Sequence, residues 1–308
     1  MIVNPGFRNT NFTEESWGSN YYEYRRKWDN NPLNNIVENG PINLDIEITN
    51  ACNLRCPFCV REYMEDSIGF MSWGDYENII KQGFDNGVMA AKLNWRGEPT
   101  LHKDLPEMVK LAKLYAYTEI SINTNGTLLT KKLCEELVDA KLDRIIFSIE
   151  SIRPDRYAKY RPPAKLDEVI ENIKMLLRTR QEWDRKKPYV RVQKIDFPET
   201  RDERYTRFFQ NLGVDSVAIN TYKEKGKSDK LWRTKPCCQP WQRLFIAWDG
   251  NIYPCCEGQR FEPIGNIKEM SIHDAWKSDM MEMLREKHIN NDADDIPQCR
   301  ECWVTKGV

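Results

Sequence analysis

The sequence lacks any run of about 18 apolar residues, the length a membrane-spanning helix requires. Its first twenty residues (MIVNPGFRNTNFTEESWGSN) contain no apolar stretch of the signal-peptide kind, which argues against secretion. No charge sign dominates: 46 Lys and Arg oppose 47 Asp and Glu, and a net charge of −1 leaves no basic footprint for a nucleic acid. Internal repeats and low-complexity segments are also absent. Histidine is scarce, and His102, His273 and His288 share no motif; His102 closes the GEPTLH segment, where packing is the expected role.

What the chain does have is cysteine. Ten cysteines in a chain read as cytoplasmic are metal or redox ligands sooner than disulfides, because reducing compartments keep thiols free. They are unevenly placed. Cys52, Cys56 and Cys59 cluster early, while Cys237, Cys238, Cys255, Cys256, Cys299 and Cys302 crowd the last quarter. Cys134 stands alone in a helical run and reads as a packed thiol.

From residue 42 short β-type runs alternate with amphipathic helical ones. The expected strands are 42–49, 88–95, 118–123, 143–149, 188–195 and 214–221, with helices starting near Ser72, Asp104, Thr130 and Lys165. Ser72 and Thr130 are suited to N-caps. Strands separated by helices imply βαβ units and a parallel sheet, so the fold class is α/β. Six units suggest a curved sheet or an open, partial (β/α)6 barrel, with function on the loops after the strand ends. The expected organisation is an N-terminal extension (1–41), the barrel (42–221), a polar linker (222–236) and a small C-terminal hairpin and helix module (237–308). Within that module Asp249-Gly250 marks a hairpin turn and residues 272–287 a helix. The charged run 178–187 reads as a solvated helix end. The aromatics Trp17, Tyr21, Tyr22, Tyr24 and Trp28 show no clear period; they could wrap the barrel or cover the active site.

Cys52-Asn-Leu-Arg-Cys56-Pro-Phe-Cys59 lies directly after the first expected strand. Structural zinc takes four protein ligands, and no fourth Cys or His is near. Three thiolates leave one iron of a [4Fe–4S] cluster open to a further ligand. This CxxxCxxC loop, with Phe58 before its last cysteine, resembles the signature of radical S-adenosylmethionine (SAM) enzymes. The resemblance implies that the open iron binds SAM, and that an electron then cleaves it to methionine and a 5′-deoxyadenosyl radical. Further motifs follow successive strands. Trp95-Arg96-Gly97-Glu98-Pro99 is similar to the family's GGEP segment, which holds SAM's ammonium, although Arg96 replaces its first glycine. Asn125 lies in an NTNGT segment after strand three. Ser148 and Glu150 end strand four, where relatives contact the SAM ribose, and Arg161 matches an arginine that pairs with the SAM carboxylate.

The late cysteines, Cys237, Gly250-x4-Cys255 and Cys299-x2-Cys302, resemble the shortened SPASM, or twitch, module of the same family. The resemblance implies one auxiliary [4Fe–4S] cluster on Cys237, Cys255, Cys299 and Cys302, with zinc as the rival occupant. Cys238 and Cys256 are then spare. Cys256 either packs beside the cluster or faces away from it, toward the barrel mouth, and gives a hydrogen atom to a substrate radical.

The implied function is hydrogen abstraction from a carbinol carbon of a sugar or aminocyclitol, ending in epimerisation or dehydrogenation. A small-molecule substrate and a reductant such as flavodoxin or ferredoxin would be the partners. The rival enzyme is a maturase of ribosomal peptides, forming thioethers or epimerising residues. The non-enzymatic reading is a zinc-binding adaptor.

Overall fold

The computed structural model describes residues 17–221 and 237–302. Six parallel strands lie in chain order: β1 (Asn43–Ile46), β2 (Ala90–Lys92), β3 (Glu119–Thr124), β4 (Arg144–Ser148), β5 (Tyr189–Asp196) and β6 (Ser216–Thr221). Each overlaps an expected strand. Their apolar residues recur at every second position, so Leu44, Ile46, Ile120, Ile122, Ile145, Phe147, Val190 and Val192 join one core on the helix side. The alternate residues, among them Asp45, Lys92, Ser121, Arg191 and Gln193, face the inner side of the curved sheet. Six strands in this order make a partial barrel.

Helices fill the crossovers. In chain order the helices are α1 (Ser19–Leu33), α2 (Trp73–Asp85), α3 (Leu105–Leu114), α4 (Lys131–Asp139), α5 (Pro154–Tyr160), α6 (Leu166–Glu182) and α7 (Tyr205–Leu212). Ser72 Oγ accepts the Asp75 N–H at 3.0 Å and Thr130 Oγ1 the Leu133 N–H at 3.2 Å, so both expected caps form. Cys134 is fully buried in α4, as a packed thiol should be.

The tail does not build a sheet of its own. After α8 (Gln239–Gln242), β7 (Arg243–Ile246) pairs parallel to β1, from Asn43↔Arg243 to Ile46↔Ile246. Strands β8 (Asn251–Tyr253) and β9 (Gly265–Asn266) then continue the sheet in antiparallel fashion to nine strands. The β7–β8 turn is at Asp249-Gly250, where Gly250 has φ +91° and its N–H bonds the Ala247 carbonyl at 2.9 Å.

Two expectations need correcting. The helix expected over 272–287 is two helices, α9 (Ile272–Trp276) and α10 (Asp279–Ile289). Ser278 is extended between them, and its hydroxyl bonds the Ala275 carbonyl at 2.8 Å instead of extending the helix. The run 178–187 is not wholly solvated. Arg180 reaches buried Asp215 at 2.5 Å and Lys187 reaches buried Asp143 at 2.6 Å, because both carboxylates need cations to remain charged inside.

The aromatic N-terminal segment settles at the end of the barrel opposite the cysteine loop. Tyr21, Tyr24 and Trp28 of α1 pack with Ile42 and Ala90 at the starts of β1 and β2. Trp17 lies 6.1 Å from the Tyr189 ring, and the guanidinium of Arg144 sits 4.9 Å over Trp17. Arg243 covers Trp28 at 4.4 Å. The helix therefore plugs the strands' N-terminal ends and leaves their C-terminal ends to the site.

Candidate functional site

Three loops after β1, β2 and β3 are tied together around the first cysteine group. Leu54 N–H points at Cys52 Sγ (3.5 Å), and Cys59 N–H bonds the Cys56 carbonyl (2.9 Å), which curls the loop. Asn125 Nδ2 donates to Asn53 Oδ1 at 2.9 Å and lies 3.9 Å from Cys52 Sγ, while its Oδ1 accepts from Thr127. Residues 64–71 are held over the end of β1 by Asn50, which donates to Ser67 O and accepts from Gly69 N–H.

Gly97 makes the second loop possible. A Cβ there would lie 2.1 Å from the Thr49 carbonyl oxygen and 2.8 Å from that of Ala51. Glu98 N–H bonds the same Ala51 oxygen at 2.8 Å. Gly97→Ala should therefore push the loop off β1 and cost about 1–3 kcal/mol or more, as overpacking does. Urea unfolding would read this; an unchanged midpoint would mean that the backbones are not so close.

Glu98 is buried, and its carboxylate accepts from Thr100 Oγ1 (2.6 Å), Thr124 Oγ1 (2.7 Å) and the N–H groups of Asn125 (2.7 Å) and Thr100 (3.2 Å). Burial raises its pKa, with those donors opposing the shift. Sequence reasoning placed this acid beside a bound ammonium. In the structure its carboxylate also clasps the β2 and β3 loops to one another. Pro99 starts the short 3-10 turn behind it. His102 packs as expected: its Nε2 is 3.1 Å from the Met71 carbonyl and its Nδ1 accepts from Asp104 N–H.

Arg96, the departure from the glycine pattern, is matched by acids. Its Nε and Nη2 each contact Glu47 at 2.7 Å, its Nη1 contacts Asp66 at 2.8 Å, and the guanidinium stacks 4.3 Å over Trp95. Glu47 follows β1 and is completely buried.

Arg161, at the end of α5, forms a two-pronged ion pair with buried Glu150 through Nε and Nη2, and lies 5.3 Å over the Phe58 ring. Phe58 also meets Phe197 at 5.1 Å, and Phe197 stacks on Tyr160 at 4.5 Å. The result is an apolar wall beside Cys56. Burial pushes the Cys56 thiol up to about 11, with Arg161 pulling the other way. Ser148 ends β4 on the inner side, opposite Gln193.

The late cysteines meet at the hairpin end. Cys237, Cys255, Cys256, Cys299 and Cys302 line one small cavity, walled otherwise by Pro240, Phe261 and Leu284 among others. Cys238 does not line it and lies within electrostatic reach of Arg243 and Asp29. Cys256, expected to face away from the other thiols, lines the cavity with them. Gln239 turns it there, donating to its Sγ at 3.2 Å and accepting its N–H at 3.0 Å. Burial pushes this thiol up to about 12, while Arg243, whose strand borders the inner side, lowers it. Trp95 joins the two centres: its indole N–H donates to the Cys256 carbonyl at 3.0 Å, and its ring packs 5.4 Å from both Phe245 and Tyr253.

Among the described residues, no three His, Cys, Asp or Glu side chains converge closely enough for a single metal ion. Fit to an iron–sulfur group is carried by the donors themselves, two sets of free thiols, one on a loop and one in an apolar cavity. Sequence reasoning missed Glu47, Gln239 and His288. All three act on residues far away in the chain, and no motif marks them.

Residues 46–184 match the Radical SAM superfamily, and residues 237–303 match an iron–sulfur cluster-binding domain, SPASM. A probable GTP 3′,8-cyclase of Sulfolobus acidocaldarius is 35% identical over 181 residues, 57% of this chain and 54% of that protein. The chain thus spans about half the length of the cyclase it matches. A tungsten-containing aldehyde ferredoxin oxidoreductase cofactor-modifying protein of Pyrococcus furiosus is 26% identical, over 84% of this chain and 86% of that protein. In fold, BtrN in complex with AdoMet and 2-DOIA superposes with a TM-score of 0.58 at 18% identity, covering 85% of this chain and 92% of that one. Streptococcus suis SuiB bound to S-adenosylmethionine gives 0.60 at 18% identity, covering 94% and 77%.

Proposed function

Because the chain belongs to the radical SAM superfamily and carries a C-terminal SPASM domain, we propose that it abstracts hydrogen from a carbinol carbon of a sugar or aminocyclitol. The observation that carries this reading is the polar inner side of the barrel between two thiol centres. Lys92, Ser121, Ser148, Arg191 and Gln193 occupy that side in register, above the Asp45 and Arg243 ion pair, and offer a hydroxyl-rich molecule donors and acceptors. BtrN, similar in fold, is a structure with AdoMet and 2-DOIA bound.

Cys52, Cys56 and Cys59 would hold one [4Fe–4S] cluster, and Cys237, Cys255, Cys299 and Cys302 the auxiliary one. When bound, the first cluster and SAM supply the hydrogen-abstracting 5′-deoxyadenosyl radical. The protein's own residues do the rest. Glu98 and Asn125 lock the loops under the SAM site; Gly97 lets them approach. Glu150 and Arg161 set a fixed charge pair near Cys56, and Phe58 walls that side from water. Trp95 and Arg96 form the floor between the two centres.

Cys256 is the fifth thiol of the cavity and the one whose backbone is tied to the barrel loops, through Trp95, which keeps it the candidate hydrogen donor although Gln239 turns its side chain toward the other thiols. In epimerisation its S–H bond breaks, the hydrogen forms a new C–H bond on the opposite face, and the thiyl radical left behind is restored by one electron from a flavodoxin- or ferredoxin-type reductant and one proton from solvent. In dehydrogenation the carbinol radical would instead lose its hydroxyl proton to solvent and one electron to the auxiliary cluster that Cys237, Cys255, Cys299 and Cys302 would hold, giving a ketone.

The test is anaerobic turnover with SAM and reductant in D2O, over panels of aminocyclitols, sugars and peptides. Release of 5′-deoxyadenosine is expected to rise with a polyol, and an epimer should carry one deuterium at the inverted carbon. Cys256→Ala should still cleave SAM with substrate bound but stop making epimer. Stimulation by peptides alone would contradict the carbinol reading, and a ketone formed equally by wild type and Cys256→Ala would remove Cys256 from the chemistry.

A further inference from the structure

His288 belongs to no sequence motif, yet it touches both ends of the late cysteine set. It lies in the last turn of α10, buried, and lines the cysteine cavity. The backbone N–H of Cys237 points at its Nδ1 at 3.3 Å. A backbone N–H can only donate, so Nδ1 presents its lone pair and the ring proton belongs on Nε2. That Nε2 lies 3.9 Å from Cys299 Sγ, a distance suited to an N–H···S contact.

We infer that His288 is a positioning residue for the auxiliary cluster, donating from Nε2–H to the Cys299 thiolate while its Nδ1 anchors the backbone of Cys237. The inference rests on the reading that Cys237, Cys255, Cys299 and Cys302 hold a [4Fe–4S] cluster. Two consequences follow. One imidazole joins the segment that enters the module to the segment that closes it, α11 (Pro297–Arg300), so ligands far apart in sequence share one spacer. The donated hydrogen bond also draws negative charge off the ligand sulfur, which favours the reduced cluster and raises its potential. The cavity wall is apolar at Pro240, Phe261 and Leu284, so the contact acts in a low dielectric where it is strengthened.

The test is an anaerobic redox titration of the full chain followed by EPR, with iron and sulfide counted in the same samples. His288→Phe fills the space and removes both contacts. His288→Gln keeps an amide N–H near the Nε2 position; His288→Asn keeps an acceptor near Nδ1 but no donor to Cys299. The Phe and Asn variants are expected to lower the reduction equilibrium constant of the auxiliary cluster about tenfold, which is 59 mV for one electron. Gln should recover most of that shift. The cluster on the early cysteine loop should keep its potential in every variant, as an internal reference. An unchanged auxiliary potential in a fully loaded Phe or Asn variant would overturn the role of His288, as would an equal shift in Gln and Asn. Wild-type protein with only about four irons per chain would instead overturn the auxiliary cluster on which the inference rests.

Discussion

Replacing Cys52, Cys56 and Cys59 together by alanine is expected to abolish SAM cleavage while leaving the tail's iron in place. The three thiols share one loop after β1, and the late cysteines lie in a separate cavity at the hairpin end. Iron should fall from about eight to about four per chain, as the loss of one four-iron cluster requires. The fold should survive. Cys52 and Cys59 are only half-buried, and the loop keeps its ties through Asn50, Asn53 and Asn125. The readouts are 5′-deoxyadenosine release, iron content and a thermal melt. Retained cleavage of SAM by the triple variant would remove this loop from the active site. Loss of all iron would mean that the two centres assemble as one.

The second large effect is expected at Arg96. Glu47 is completely buried and is held by two contacts of 2.7 Å from that guanidinium. Arg96→Ala leaves the carboxylate charged, buried and without its counterion, which costs about 3–5 kcal/mol. Asp66 is half-exposed and falls back on water, so it adds little. Neutralising the acid as well, in Glu47→Gln with Arg96→Ala, should recover much of the loss. Urea unfolding of the two single variants and the double variant closes the cycle. Additive losses would mean that the two side chains are not coupled, and Arg96 would then need another explanation, with substrate binding the first to test. The same pair accounts for an arginine where the family pattern has glycine: the chain supplies its own buried acid.

The barrel was legible because its signals are local. Alternating apolar residues such as Ile120 and Ile122, or Val190 and Val192, mark a strand without reference to anything distant, and Ser72 and Thr130 cap helices three residues away. The early cysteine loop is equally local. What escaped depends on partners far along the chain. Nothing in Arg243–Ile246 says that it pairs with Asn43–Ile46, so the tail read only as a small hairpin and helix module. The N-terminal aromatics do carry a helical period, since Trp17, Tyr21, Tyr24 and Trp28 are spaced by four, three and four residues; exposed Tyr22 among them obscured it. Glu98 was singled out by type, but the groups that donate to it come from residues whose meeting only the fold arranges. Adjacent cysteines posed the same problem. Cys237 and Cys238 part because α8 begins there, and Cys255 and Cys256 stay together because Gln239 turns the second one inward.

The central claim is two iron–sulfur centres in one chain, and a single measurement addresses it. Iron, acid-labile sulfide and zinc should be counted on wild-type protein purified and reconstituted without oxygen. The account predicts about eight irons and about eight sulfides per chain with no stoichiometric zinc. About four irons with one zinc would leave the early loop as the only cluster site, and two zincs with no iron would contradict the account as a whole.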